Sequence, residues 1–344
     1  MVSEFTKTEI STQVDAWQDA IEVLETHHRS ILDLWKKNNF TDVIFTGCGS
    51  THYLSLTAAS LFQAATGILA RGVAASEILF HHEKLFAKQS NTLLVTISRS
   101  ATTTETVEAA KLFQSTYGNP IVAISCYDDK SLNEIVDLNL AVKSGQEKSV
   151  AQTRSFSSML ILAEGFAQII GGHQIDVNRF ATDTNELVMK AKEQAKSFSD
   201  AQQFNQYFYL GSGLLYGIAA EAMLKMKEMS LTHAEAYHPM EFRHGPMSMV
   251  DDKTIVIGLL SDTAYESEKA VLEDMKALGA TTVEISYAEG ADYSLSQWNQ
   301  NPSIVRYMPL LQWMAFLRAT DKGLDPDNPR NLSQVIKLNN FSSH

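Results

Sequence analysis

Cysteine is nearly absent from this 344-residue chain. Cys48 and Cys126 are too few for a disulfide framework or a cysteine-built metal centre, and they suit a reducing compartment. Basic residues are also short: 28 Lys and Arg against 40 Asp and Glu leave a formal net charge of −12. That balance argues against a nucleic-acid surface and against docking on an anionic membrane. An anionic small molecule stays admissible, because backbone N–H groups and hydroxyls at a helix start hold phosphate without a basic patch. No uncharged apolar run reaches bilayer-spanning length, and the opening MVSEFTKTEI has neither the basic nor the apolar region of a secretory signal. A soluble, cytoplasmic protein is expected. The hydrophobic share, 44%, suffices for two cores.

Val14, Trp17, Ile21, Leu24, Ile31 and Trp35 recur at spacings of three, four and seven, which predicts an amphipathic helix. Asp42–Thr46, Thr92–Ile97 and Pro120–Ser125 read as three apolar strands separated by helical stretches. That alternation indicates a parallel sheet with helices on both faces. The pattern then recurs at a nearly constant offset. Phe208–Gly213 repeats Phe45–Gly49, Thr254–Ser261 repeats the strand ending at Ser98, and Thr281–Tyr287 repeats the third strand. The expected fold is α/β, two tandem doubly wound parallel-sheet units behind an N-terminal helix. The expected boundaries are 1–40 for the helical segment, 41–195 for the first unit and 196–344 for the second.

Ligands of open parallel sheets sit at the carboxyl ends of the strands. Ser98, Ser100, Thr102, Thr103 and Thr104 crowd such an end, and Ser50 and Thr51 stand at its neighbour. Helix capping needs one hydroxyl, so this excess predicts a phosphate cradle. The matching turn of the second half, Ser261–Glu266, carries Asp262 and Glu266 and would repel phosphate. One phosphate site per chain is therefore expected. Gly47-Cys48-Gly49 lacks the third glycine of a dinucleotide fingerprint, and Cys48 is expected to be a small buried thiol and not a nucleophile. The pairs His27–His28 and His81–His82 point in divergent directions and make poor chelates.

From Glu221 to Pro246 the chain reads EAMLKMKEMSLTHAEAYHPMEFRHGP. Glu221, Lys225 and Glu228 fall at i, i+4 and i+7, on one helix face. His233, Glu235, His238, Glu241 and His244 follow closely. Such a density of ionisable groups is what proton transfer uses, although an amphipathic helix with ordinary ion pairs needs no more.

The segments GCGST (47–51), SRSATTT (98–104), EKSVAQTRSF (147–156), the Glu221–Pro246 block and DNPRNL (327–332) resemble the sugar isomerase (SIS) family, in particular the isomerase half of glucosamine-6-phosphate synthase. The likeness runs from about Asp42 to Leu338. It implies that Ser50, Thr51, Ser98, Arg99, Ser100 and Thr103 line a sugar-phosphate pocket, with Val150 and Gln152 at the sugar hydroxyls. It implies that Glu228 moves a proton between C1 and C2, with Glu221 and Lys225 beside it. His244 would help open the sugar ring from the second subunit of a homodimer.

Two departures matter. At the position of the synthase's imine-forming lysine stands Gln334, preceded by Ser333, with Lys337 three residues on. In the hydroxyl loop, arginine, alanine and threonine (Arg99, Ala101, Thr102) replace glutamine, glycine and glutamate. The short leader is also expected to leave no room for a glutaminase domain. These features turn the expected reaction towards hydrolysis: glucosamine 6-phosphate and water to fructose 6-phosphate and ammonia, without metal or nucleotide cofactor. The alternatives are a fructosamine-6-phosphate deglycase or other phosphosugar isomerase, and a non-catalytic sugar-phosphate-binding regulator.

Overall fold

The computed structural model describes residues 3–87, 91–180, 183–300 and 302–335. Two helices come first, α1 (Glu4–Ser11) and α2 (Gln13–Asn38). There follow β1 (Asp42–Gly47), α3 (Ser50–Thr66), β2 (Leu69–Ala74), α4 (Ala75–Leu85), β3 (Thr92–Ser98), α5 (Thr104–Tyr117), β4 (Ile121–Ser125), β5 (Leu138–Ala141) and α6 (Arg154–Ile170). The second series is α7 (Thr184–Ala195), β6 (Gln206–Gly211), α8 (Leu214–Ser230), β7 (His233–Tyr237), α9 (Pro239–Phe242), β8 (Thr254–Leu259), α10 (Tyr265–Ala277), β9 (Thr281–Ser286), β10 (Tyr293–Ser294) and α11 (Met308–Asp321).

The strands form two five-stranded sheets, β2-β1-β3-β4-β5 and β10-β9-β8-β6-β7, parallel throughout. Counted from its own first strand, each sheet has the order 2-1-3-4-5, so the expected duplication is present in the topology. The six strands legible in the sequence are the six interior ones. Their residues are buried almost end to end, as a sheet covered on both faces requires. The four not foreseen, β2, β5, β7 and β10, are the edges. Thr92–Ile97 therefore belongs to the third strand of its sheet, and HAEAY is itself strand β7.

The chain divides into two compact units, each assembled from separate stretches. The unit around the first sheet takes Thr12–Glu147, α6 and the tail from Ser333. The unit around the second sheet takes the residues up to Ser11, Lys148–Thr153 and the run from α7 to Leu332.

In the first unit, α2 buries Val14, Trp17, Ile21, Leu24 and Ile31. Gly165 of α6 admits this helix: a Cβ there would lie 2.2 Å from Leu24 Cδ1. In the second unit, α1 is a separate helix whose first turn is capped from far along the chain. The Asp327 carboxylate accepts the N–H of Phe5 (3.0 Å), the N–H of Thr6 (2.7 Å) and the Thr6 hydroxyl (2.7 Å). Asp325 accepts the Ser3 hydroxyl at 3.0 Å. Asp325 and Asp327 thus tie their loop to α1. No helix among the described residues is long and apolar enough to cross a membrane.

Replacing Asp327 with alanine leaves the first-turn N–H groups of α1 without their acceptor. It should lower the unfolding free energy by about 1–3 kcal/mol. A urea midpoint equal to that of the parent protein would show that the cap is dispensable.

Candidate active site

Helix α8 starts directly behind the turn Gly211-Ser212-Gly213. Gly213 takes φ 54° and ψ −122°, a conformation that side chains resist. On the helix, Lys225 lies between two carboxylates. Its ammonium is 3.4 Å from Glu221 Oε1 and donates a short bond to Glu228 Oε2. Glu221 and Lys225 are buried, with side chains 0% and 1% exposed, whereas that of Glu228 is 20% exposed. A buried lysine must be neutralised to stay charged, and here it holds both carboxylates at once. Of the three, Glu228 is the member that meets solvent.

The same unit holds Val150 and Gln152. Glu9 of α1 fixes their loop, accepting the N–H of Lys148 (2.6 Å), the N–H of Ser149 (3.4 Å) and the Ser149 hydroxyl. Val150 donates its N–H to the Asp327 carbonyl at 3.3 Å. Gln152 Oε1 is shielded from solvent and has no hydrogen-bond partner among the described residues. A buried acceptor of this kind is costly to leave without a donor.

Past β7 the chain turns at His238, whose ring stacks on Tyr216 of α8, centroids 4.2 Å apart. Glu235 stands between His233, 3.5 Å away, and the Tyr237 hydroxyl, which donates to it. That bond pushes the Tyr237 phenol up to about 12. His244 is exposed, one residue ahead of Gly245 at φ 133°, and its N–H donates to the Glu241 carbonyl at 3.0 Å.

In the first-sheet unit, Gly49 has φ 57° and ψ −126°, nearly the values of Gly213, and α3 starts behind it. Ser50 and Thr51 are buried at that start. Thr51 Oγ1 closes the turn, accepting the Cys48 N–H and donating to the Cys48 carbonyl, both at 2.9 Å. Behind β3, Thr103 Oγ1 lies 3.5 Å from both Ser98 Oγ and Ser100 Oγ, and Ser100 Oγ accepts the Thr102 N–H at 3.2 Å. Ala101 bends the loop at φ 52°. The hydroxyls of Ser98, Ser100 and Thr103 thus converge.

Arg99 is anchored inward. Its guanidinium is 3.2 Å from the buried Glu147 carboxylate and donates to the Gln334 carbonyl at 3.1 Å. Gln334 and Ser333 are exposed, and the Ser333 hydroxyl donates to the Val335 carbonyl at 3.3 Å. Lys337 lies outside the described residues. Nothing in local spacing marks Glu147, Glu9 or Tyr216. Each acts through a partner distant in sequence or through an aromatic stack, and only the block EKSVAQTRSF hints at Glu147.

Cys48 is no ready nucleophile, since burial pushes its thiol up to about 11. Its Sγ lies 3.5 Å from Thr106 Oγ1. His27 and His82 are engaged locally, with Nδ1 at 2.8 Å from the Val23 carbonyl and 2.9 Å from the Tyr117 hydroxyl. No cluster of three or more His, Cys, Asp or Glu among the described residues could hold a metal ion.

The SIS domain family matches residues 36–168 and 202–298. The glutamine-fructose-6-phosphate aminotransferase (isomerizing) of Helicobacter pylori is 29% identical over 319 residues, 87% of this chain and 53% of its own. That of Thermococcus kodakarensis is 28% identical over 353 residues, 97% of this chain and 58% of its own. The chain thus spans about half the length of these relatives. The crystal structure of a glucosamine-6-phosphate deaminase from Thermotoga maritima superposes with a TM-score of 0.82 and 26% identity, covering 97% of this chain and 99% of that one. The tagatose-6-phosphate ketose/aldose isomerase of Escherichia coli gives 0.82 at 20% identity, with 94% of each chain covered, a likeness of fold.

Two outcomes follow from the charges described. Lys225→Met removes the ammonium that lies between the buried Glu221 and Glu228 and should cost about 3–5 kcal/mol of stability. Adding Glu221→Gln should restore most of it, and a single substitution costing under about 1 kcal/mol would rule out Lys225 as the neutralising group. The second concerns His52, half-buried in the first turn of α3. Burial lowers its pKa from the ordinary 6.5, against a weaker opposing bond to the Val73 backbone. Between the folded pKa and 6.5 the unfolded chain binds more protons, so stability rises with pH there. Acidification through that window should lower the urea midpoint, and His52→Gln should flatten this part of the profile. An unchanged slope in the variant would remove His52 as its source.

Proposed function

Because the chain belongs to the SIS domain family, we propose that it catalyses aldose–ketose chemistry on a phosphorylated amino sugar, converting glucosamine 6-phosphate and water to fructose 6-phosphate and ammonia. The observation that carries this reading is the Glu221–Lys225–Glu228 face, where a buried lysine presents one partly exposed carboxylate. Glu228 takes the C2 proton of the open-chain 2-amino aldose, and the electron pair moves into a C1–C2 enolamine. A proton returned to C1 gives the imine at C2. Water adds to that carbon, the nitrogen leaves as ammonia, and the carbonyl of the ketose remains. Atoms balance without an oxidant or a reductant.

The other assignments follow the same reading. The hydroxyls of Ser98, Ser100 and Thr103 receive the phosphate, with Ser50 and Thr51 at the neighbouring helix start. Gln152, with its buried acceptor, and Val150 meet the sugar hydroxyls. His244 of the partner subunit of a homodimer assists ring opening. Gln334 cannot form an imine with a ketose, which favours release of ammonia over its capture. The named activity of the Thermotoga maritima protein supports the same direction.

Incubation with glucosamine 6-phosphate should release ammonium and fructose 6-phosphate in equal amounts without added glutamine. Glu228→Gln should cut turnover by at least about a hundredfold while sugar-phosphate binding persists. Absence of ammonium would refute the deaminase reading. Galactosamine 6-phosphate and fructosamine 6-phosphate in the same assay would then separate another substrate from a binding-only protein.

A further inference from the structure

The two sites where the chain departs from the synthase pattern, Arg99 and Gln334, touch each other. Arg99 lies between Ser98 and Ser100, so the obvious role for its charge is a phosphate contact. The geometry is otherwise engaged. The side chain is only 9% exposed. One arm of the guanidinium meets Glu147 at 3.2 Å, and the other donates to the main-chain carbonyl of Gln334 at 3.1 Å. Glu147 is fully buried and is itself held, accepting the N–H of Ser155 at 3.2 Å and the Ser155 hydroxyl. Ser155 lies in the first turn of α6, where a carboxylate is favoured. The backbone of Arg99 is fixed too, its carbonyl accepting the Cys126 N–H at 3.2 Å. The fork is therefore aimed by a rigid support at one peptide of an otherwise exposed tail.

We propose that Arg99 is a positioning residue, which latches the carboxy-terminal tail at Gln334 to the hydroxyl loop so that loop occupancy and tail order are coupled. A planar guanidinium suits this work, because it can satisfy a carboxylate with one edge and a carbonyl with another. A ligand phosphate that orders Ser98, Ser100 and Thr103 would stiffen the residues on both sides of Arg99, and with them the latch. This coupling rests on the assignment of that loop to the phosphate; the latch itself does not.

Hydrogen exchange over residues 331–335, with and without inorganic phosphate, tests both parts on the whole protein. In Arg99→Gln the tail should exchange about tenfold faster, the worth of one hydrogen bond from a charged group. Because that change takes away the cation facing Glu147, the double variant Arg99→Gln/Glu147→Gln is measured beside it and should exchange as fast. Phosphate should slow tail exchange in the parent protein and leave it unaltered in either variant, with phosphate affinity within about threefold of the parent. Unaltered tail exchange in both variants would overturn the latch. Loss of phosphate binding with the tail still protected would make Arg99 a phosphate ligand instead, and also overturn it. Faster tail exchange in the variants, with no phosphate bound by any of the proteins, would uphold the latch and remove the phosphate assignment.

Discussion

Everything at the two strand ends depends on how closely a helix can start behind its strand. A Cβ on Gly47 would lie 2.5 Å from Thr51 Oγ1 and 2.8 Å from the Ile97 carbonyl, and one on Gly211 would lie 2.6 Å from the Leu215 carbonyl. No side chain fits either place. Two residues on, Gly49 and Gly213 share a positive φ that a Cβ would strain. Strand, turn and helix are thereby locked together, and the helix N-terminus is set at the carboxyl edge of each sheet. The Thr51 bonds that close the first turn exist only because Gly47 admits them.

One backbone device has been filled in two ways. Thr57, Leu61 and Ala64 hold in α3 the ranks that Glu221, Lys225 and Glu228 hold in α8. The same helix start thus carries an uncharged face in one unit and a buried lysine with two carboxylates in the other. Burying that triad is expensive, and apolar residues of similar volume would give at least equal stability. Folding alone does not call for it.

What could be read from the sequence follows from the range of each interaction. Interior strands show as continuous apolar runs because both faces are covered, whereas edge strands such as Leu69–Ala74 are exposed at one end and only half-buried beyond it. The Glu221–Lys225–Glu228 contact was legible because helical spacing places the three groups on one face. The partners of Arg99 were not, since Glu147 lies 48 residues away and Gln334 235 residues away. Glu9 reaches Ser149 across 140 residues, and no local pattern announces such a bond. Arg99 stands in a hydroxyl-rich loop, and a carboxylate that faces it within the protein is that of Glu147.

The second half shows how the matching turn can be filled differently. At the turn behind β8, Glu268 accepts the Ser261 N–H at 2.6 Å through a carboxylate that is almost wholly buried. An internal anion already occupies the place where an exogenous one would bind. Asp262 and Glu266 flank a cleft of about 570 Å³ there and add repulsion. In α5, Val107 stands at the rank of Glu268 in α10. Glu105 of α5 matches Glu266 of α10 in rank, so the two turns differ at Glu268 and at Asp262 and not in acidity throughout. The duplicated fold supplies two equivalent helix starts, and in the second the Glu268 carboxylate already takes up a turn N–H.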